Sequence, residues 1–341
     1  MAETDSITSW RAHRWPLLAY FVLGLLRLGH PLDLVEAIAL TQADLAFSDW
    51  LHFGYSPGYL LLLNAWASLS VSLGWLHAFG WLTGLVGLVL TPRVLRGLGG
   101  VHASTGAMWF ICCSPFIVGH VVRVSPSSLA LITIVVSCLC FLEFLRAGNG
   151  QWLVGWVAAS LAAQMLHGGL YVLPLMQSAC MLITRERTHA RQKLWWIAQI
   201  LPLALFVSLF ADPLTRFLQQ RIGKVPAPMQ IVEGLGRVAG GMTLSGTLAT
   251  AALILFLIVL GLRAQQGNRR DPKRILLTMG WLVPGAIWLL WLPYPFYALI
   301  AAVFLAVVVS TGIRTSPQWG RQVLWTAIFA VYAWGHVAVL R

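Results

Sequence analysis

Apolar residues dominate this chain in long runs, broken at fairly even intervals by short polar or basic segments. Uncharged runs of about 16 to 22 residues recur, long enough to span or nearly span a bilayer as helices. They place spans at about 15–29, 76–96, 103–120, 126–146, 151–166, 168–184, 194–211, 243–263, 275–292, 296–313 and 322–340. Between the first two spans the pattern changes. From Asp33 to Asp49 apolar positions (Leu34, Ile38, Leu45) alternate with polar ones at near-helical spacing, as in a helix lying on a membrane surface. The run from Pro57 to Leu73 is apolar enough for a short span or a second surface helix.

The reading is an all-α polytopic membrane protein, a bundle of about eleven transmembrane helices with amphipathic surface helices in its first outer loop. Nothing in the pattern marks a separate soluble part, so residues 1–341 form a single transmembrane domain. Its first outer loop covers about 31–75, and a basic outer loop covers about 212–242.

Charge decides how the spans are oriented. If 57–73 stays on the surface, most of the 23 Lys and Arg fall in segments on the N-terminal side of the membrane, as the positive-inside rule requires. Making it a span would carry Arg93 and Arg96 to the other side. The N-terminus is then cytoplasmic and the C-terminus periplasmic, in a bacterial inner membrane. The first run, preceded by Arg11 and Arg14 and followed by no small-residue cleavage site, reads as a retained anchor.

Composition agrees: 58% of residues are hydrophobic and only 10% charged, with 17 Trp, where a soluble domain carries about a quarter charged residues. The net charge of +12 does not indicate nucleic-acid binding, because the bases sit in short clusters between apolar runs. All five cysteines lie inside apolar runs without paired spacing, so neither a disulfide framework nor a zinc site is expected. Charged residues are nearly absent from mid-span, with Glu143 near one span end and Gln164 near another, which argues against an ion-coupled transporter.

The candidate chemistry gathers in the outer loops. The first holds Asp33, Glu36, Asp44 and Asp49, with no Lys or Arg between His30 and Tyr59. Asp33 and Glu36, three apart, share a helix face. There they can serve as a general base or, for Asp33, as a helix cap. Against the general charge bias, Arg216, Arg221, Lys224 and Arg237 fall in the 212–242 loop and Arg123 in another outer loop. Such groups suit an anion, and arginine suits phosphate because its planar fork engages two oxygens. His120 and His167 lie at outer span ends without metal-ligand spacing, so no metal or other cofactor is expected.

Several short segments, in order, resemble the GT-C fold glycosyltransferases, in particular the dolichyl-phosphate-mannose–protein mannosyltransferase-like group of bacterial membrane proteins. An Arg near the end of the first span (Arg27) precedes a loop with the acidic step Glu36-Ala37. A Pro-x-Tyr-Leu-Leu-Leu helix follows from Pro57 to Leu63, and Ser114-Pro115-Phe116 closes a span. Leu166-His167-Gly-Gly-Leu-Tyr171 precedes Gln177, and Pro293-Tyr294 runs on to Ile300. The resemblance implies transfer of a sugar from a polyprenyl-phosphate donor to a hydroxyl on an acceptor glycan, lipid or protein at the outer face. Glu36 would be the base and Asp33 its orienting partner. Arg123, Arg216, Arg221, Lys224 or Arg237 would hold the donor phosphate, and His120, His167, Tyr59 and Tyr294 would contact acceptor or sugar. The chain departs from the family where it usually reads Asp-Glu-Ala, because Val35 stands in the Asp position. The loop from Gly119 to Ser125 lacks an acid, and Pro293 replaces an Arg. These departures keep open a catalytically lapsed membrane subunit working with a partner chain, or a protein that binds or flips lipid-linked sugars.

Overall fold

The computed structural model describes residues 2–45, 56–183, 189–221, 256, 258–259, 261–263, 271–290 and 295–340. Among these the regular elements are all helical. Helix α1 is Ala2–Leu25, α2 Leu34–Ala43, α3 Pro57–Ala67, α4 Leu73–Cys113, α5 Pro115–Val122 and α6 Ser127–Ala147. Then come α7 Gly150–Leu166, a 3-10 turn Gly168–Tyr171, α8 Val172–Ile183, α9 His189–Arg221, α10 Pro272–Leu290, α11 Pro295–Thr315 and α12 Gln318–Leu340. Four described segments are long and apolar enough to cross a membrane, Leu73–Cys113, Ser127–Ala147, Arg191–Phe210 and Tyr297–Thr315. The protein is an integral membrane helical bundle.

Helix α4 carries two of the expected spans. Its backbone leaves helical geometry at Gly100, where φ is +79°, a conformation that L side chains avoid. The Ser104 hydroxyl donates to the Pro92 carbonyl at 3.4 Å across twelve residues. A straight helix would hold those positions about 18 Å apart, so the chain doubles back at Gly100 into two antiparallel arms. The second arm stops at Ser114, whose hydroxyl caps α5 by accepting the Ile117 N–H at 3.4 Å. Proline follows at the first helical position, where its missing N–H costs nothing. The run expected as one span over 103–120 is therefore broken before its end.

Helix α3 stops at Ala67, short of the expected 73. Its 11 residues extend only about 16 Å, too short to cross. The segment expected as a span over 168–184 is likewise split into the 3-10 turn and the 12-residue α8. At the centre of the bundle lies α11, with Tyr297 to Val309 all buried. Helix α9 is peripheral, exposing Ile197, Ile200, Leu201, Leu203 and Val207, as a lipid-facing helix does. The expected span 243–263 lies largely outside the described residues.

Two contacts position the site. The Tyr20 hydroxyl donates to the Trp81 carbonyl at 3.3 Å, holding α1 on the first arm of α4. Next to Trp81 on that arm, Gly80 lets the chain after α5 approach closely. A Cβ there would meet the carbonyl oxygens of Val121, Val122 and Arg123 at 2.6–2.8 Å. The backbone at 121–124 is thus pressed against α4 beside His77.

Candidate functional site

Helix α2 starts where Asp33 takes an extended conformation and caps it. Its Oδ1 accepts the Glu36 N–H at 2.9 Å, and Glu36 Oε2 accepts the Asp33 N–H at 2.8 Å. This reciprocal box satisfies two backbone donors that a helix start leaves unpaired. Its second effect is to fix where both carboxylates point.

Glu36 points inward and is 2% exposed. Its Oε1 accepts the Val124 N–H at 2.8 Å and faces His77 Nε2 at 3.0 Å. On the far side of the ring, His77 Nδ1 donates to the Leu28 carbonyl at 3.2 Å. Both ring nitrogens face acceptors, which suits an imidazolium against a carboxylate. Burial alone would push the Glu36 carboxyl up. The hydrogen bonds from His77, Asp33 and Val124 outweigh it and hold the group down at about 2. The lock joins four chain segments: the end of α1, the cap of α2, the first arm of α4 and the loop after α5.

Asp33 is the open carboxylate. Its Oδ2 pairs with the Arg123 guanidinium at 3.1 Å, the two side chains being 34% and 46% exposed. Both line a small cleft of about 60 Å³ with Arg27, His30, Glu36, His77, Gly119 and Val122. Arg27, in the turn after α1, is 8% exposed. It donates to His336 Nδ1 at 3.4 Å, and His336 in turn donates through Nε2 to the Cys113 carbonyl at 3.0 Å. Among the described residues Arg27 has no carboxylate partner. A buried guanidinium with no carboxylate at pairing distance is costly unless an anion joins it.

Of the residues named from the sequence, the structure brings Asp33, Glu36 and Arg123 to one cleft. His120, half-buried, packs its ring against Phe116 with centroids 4.4 Å apart and does not line the cleft. Tyr59 is buried, its ring 6.4 Å from that of Phe79, and its hydroxyl has no hydrogen-bond partner among the described residues. His167 caps the 3-10 turn, Nδ1 accepting the Gly169 N–H at 3.0 Å. Arg216 and Arg221 belong to the last turns of α9, their side chains outside the described residues. Lys224, Arg237 and Tyr294 lie wholly outside them, as does any folding of 222–242 over the cleft. Among the described residues no group of three or more His, Cys, Asp or Glu is placed to hold a metal ion.

The geometry sets the two acids apart. Glu36, with both oxygens already accepting hydrogen bonds and its carboxyl at about 2, is a poor proton acceptor. Asp33 faces the open space. Val35, which replaces the acid of the family pattern, is 63% exposed and does not line the cleft, so an acid there would not serve it. Sequence reading missed His77 altogether and took Arg27 only as a mark of the family resemblance, with no role in the site. The available signal was titratable residues set in otherwise apolar spans.

No protein-family model matches the chain, and no curated protein matches it. Solved structures do. It is similar to ArnT from Cupriavidus metallidurans in the apo state, at 16% identity and a TM-score of 0.62, covering 96% of this chain and 63% of that one. The same protein bound to undecaprenyl phosphate matches at 13% identity and a TM-score of 0.60, over 96% and 64% of the two chains. The Archaeoglobus fulgidus oligosaccharyltransferase, tethered to an acceptor peptide, matches at 10% identity and 0.58, over 96% and 55%. The fold is therefore the GT-C bundle expected from the sequence. The chain spans somewhat less than two thirds of the length of these relatives in fold.

Proposed function

We propose that the protein is a membrane glycosyltransferase that moves a sugar, hexose or pentose, from a polyprenyl-phosphate donor to an acceptor hydroxyl at the outer membrane face. The observation that carries this reading is Arg27, a buried cation without a carboxylate, in one cleft with Asp33 and Arg123. The fold supports it, because ArnT has been captured with undecaprenyl phosphate on the same framework.

In this mechanism the donor phosphate enters beside Arg27 and draws Arg123 away from Asp33. The acceptor oxygen attacks the anomeric carbon and Asp33 takes the hydroxyl proton. The bond from that carbon to the phosphate oxygen breaks, and its electron pair leaves with the polyprenyl phosphate. Arg27 and Arg123 stabilise the charge that develops there. Glu36 touches no reacting atom; with His77 it holds the α2 cap and the 123–124 backbone in register.

A second reading rests on the double engagement of Asp33, as helix cap and as partner of Arg123. If that pair never opens, the chain is a lapsed subunit that binds a lipid-linked sugar for a partner. One experiment separates them. The purified chain is reconstituted with sugar-charged polyprenyl phosphates and hydroxyl acceptors, and both donor binding and transfer are measured. Transfer abolished by Asp33→Asn supports the enzyme. Donor binding without transfer in the wild type supports the subunit.

A further inference from the structure

A second cavity, of about 560 Å³, lies at the other end of the bundle between the second arm of α4, the end of α11 and the start of α12. The cleft sits where α1 ends, α4 begins and α12 ends at His336. This cavity sits where α11 ends and α12 begins. From Tyr297 to Arg314 the helix rises about 26 Å, so the two spaces are separate. From the residues that line it, we propose that this cavity binds the phosphate-bearing head of an anionic phospholipid in the membrane leaflet opposite the cleft.

Three groups can meet such a head: Arg314, Arg321 and His102. Arg321 donates through Nε to the Ser316 carbonyl at 3.0 Å, which orients the fork and leaves its terminal nitrogens available. Among the described residues Arg314 makes no hydrogen bond or ion pair, and no carboxylate lines the cavity. Among the described residues this positive charge has no carboxylate partner, unlike that of Arg146, which pairs with Glu143 at 2.7 Å.

The walls select an amphiphile over a free ion. Trp109 and Trp325 flank the space, and both rings pack on Phe329, at 5.8 and 5.6 Å between centroids. Trp319 and Val323 on the first turns of α12 are 70% and 58% exposed, so the same helix offers an apolar surface for acyl chains. The space also depends on a missing side chain. A Cβ at Gly106 would collide with the Ser310 hydroxyl and lie 3.1 Å from the Trp325 ring. Basic recesses between membrane helices, edged by Trp, are where anionic lipid heads settle.

The test uses the full chain in neutral detergent, titrated with phosphatidylglycerol, phosphatidylcholine or inorganic phosphate. Bound lipid is counted by native mass spectrometry and the thermal midpoint is followed. Phosphatidylglycerol is expected to bind and raise the midpoint, and the double variant Arg314→Gln/Arg321→Gln to weaken that binding roughly 30-fold. Gly106→Leu, which fills the space and leaves both charges, is expected to weaken it as well. Should Gly106→Leu fail to fold, the charge variant decides alone. Equal binding by wild type and the charge variant overturns the proposal, as does equal binding of phosphatidylcholine. Stabilisation of the wild type by inorganic phosphate to the same extent overturns the lipid as ligand.

Discussion

The two halves of the cleft use the same residue types to opposite ends. On the inner side Glu36 and His77 form a pair with every polar atom engaged and almost no exposure. On the outer side Asp33 and Arg123 form a pair at nearly the same distance, but both side chains are partly exposed and their partner can be exchanged. A buried pair missing one member is strongly destabilised, whereas an exposed pair contributes little to stability. The inner half therefore maintains shape and the outer half is free to react.

Substitutions can break this contrast, and the largest effect is expected at Asp33. Asn still caps a helix, so Asp33→Asn should leave the thermal midpoint close to wild type while slowing sugar transfer about 10²–10⁴-fold. A matching loss of stability would place Asp33 with the locked half. Glu36→Gln should show the reverse priority, destabilising the chain by about 3–5 kcal/mol because His77 is left facing no carboxylate. A double-mutant cycle with His77→Gln, read by thermal unfolding, should recover part of that loss. Arg27→Lys keeps the charge and removes the fork, so donor affinity should fall on the order of tenfold with turnover at saturation less affected. Slower turnover with donor affinity unchanged would place Arg27 in transition-state stabilisation alone.

The smallest effect is a pH dependence. The Glu36 carboxyl lies at about 2 when folded, below its ordinary 4.5. Its stabilisation is thus fully present above about 4.5 and lost as pH falls from there toward 2. Between pH 7 and 4 the loss should stay under about 1 kcal/mol. The acid-induced fall below pH 4 should be absent in Glu36→Gln, as an acid titration followed by circular dichroism would reveal.

Much of this was readable beforehand. Hydrophobic run lengths located most helices, and the reversal near 97–102 was legible because Arg93 and Arg96 interrupt two apolar runs. The break at Ser114 was not, since Ser-Pro within an apolar stretch leaves hydrophobicity unchanged. In the site, Asp33, Glu36 and Arg123 stood out as charges in outer loops. Their roles did not, because spacing along α2 gives both acids one face and says nothing of what waits 41 or 88 residues on. His77 was hidden by the apolar span around it, and the close approach at Gly80 brings the 124 backbone to the same Glu36 carboxylate that His77 faces.

The lock on Glu36 also sets a timetable for synthesis. Its backbone donor, Val124, leaves the ribosome 88 residues later. At about 5–20 residues per second that is a delay of roughly 4–18 seconds. Throughout it the carboxylate must rest in water at the membrane surface. Arg27 waits longer, since His336 follows it by 309 residues, on the order of 15–60 seconds at the same pace. The cleft thus closes only once α12 has been made, and a chain interrupted before it would insert its earlier spans yet carry an unfinished site.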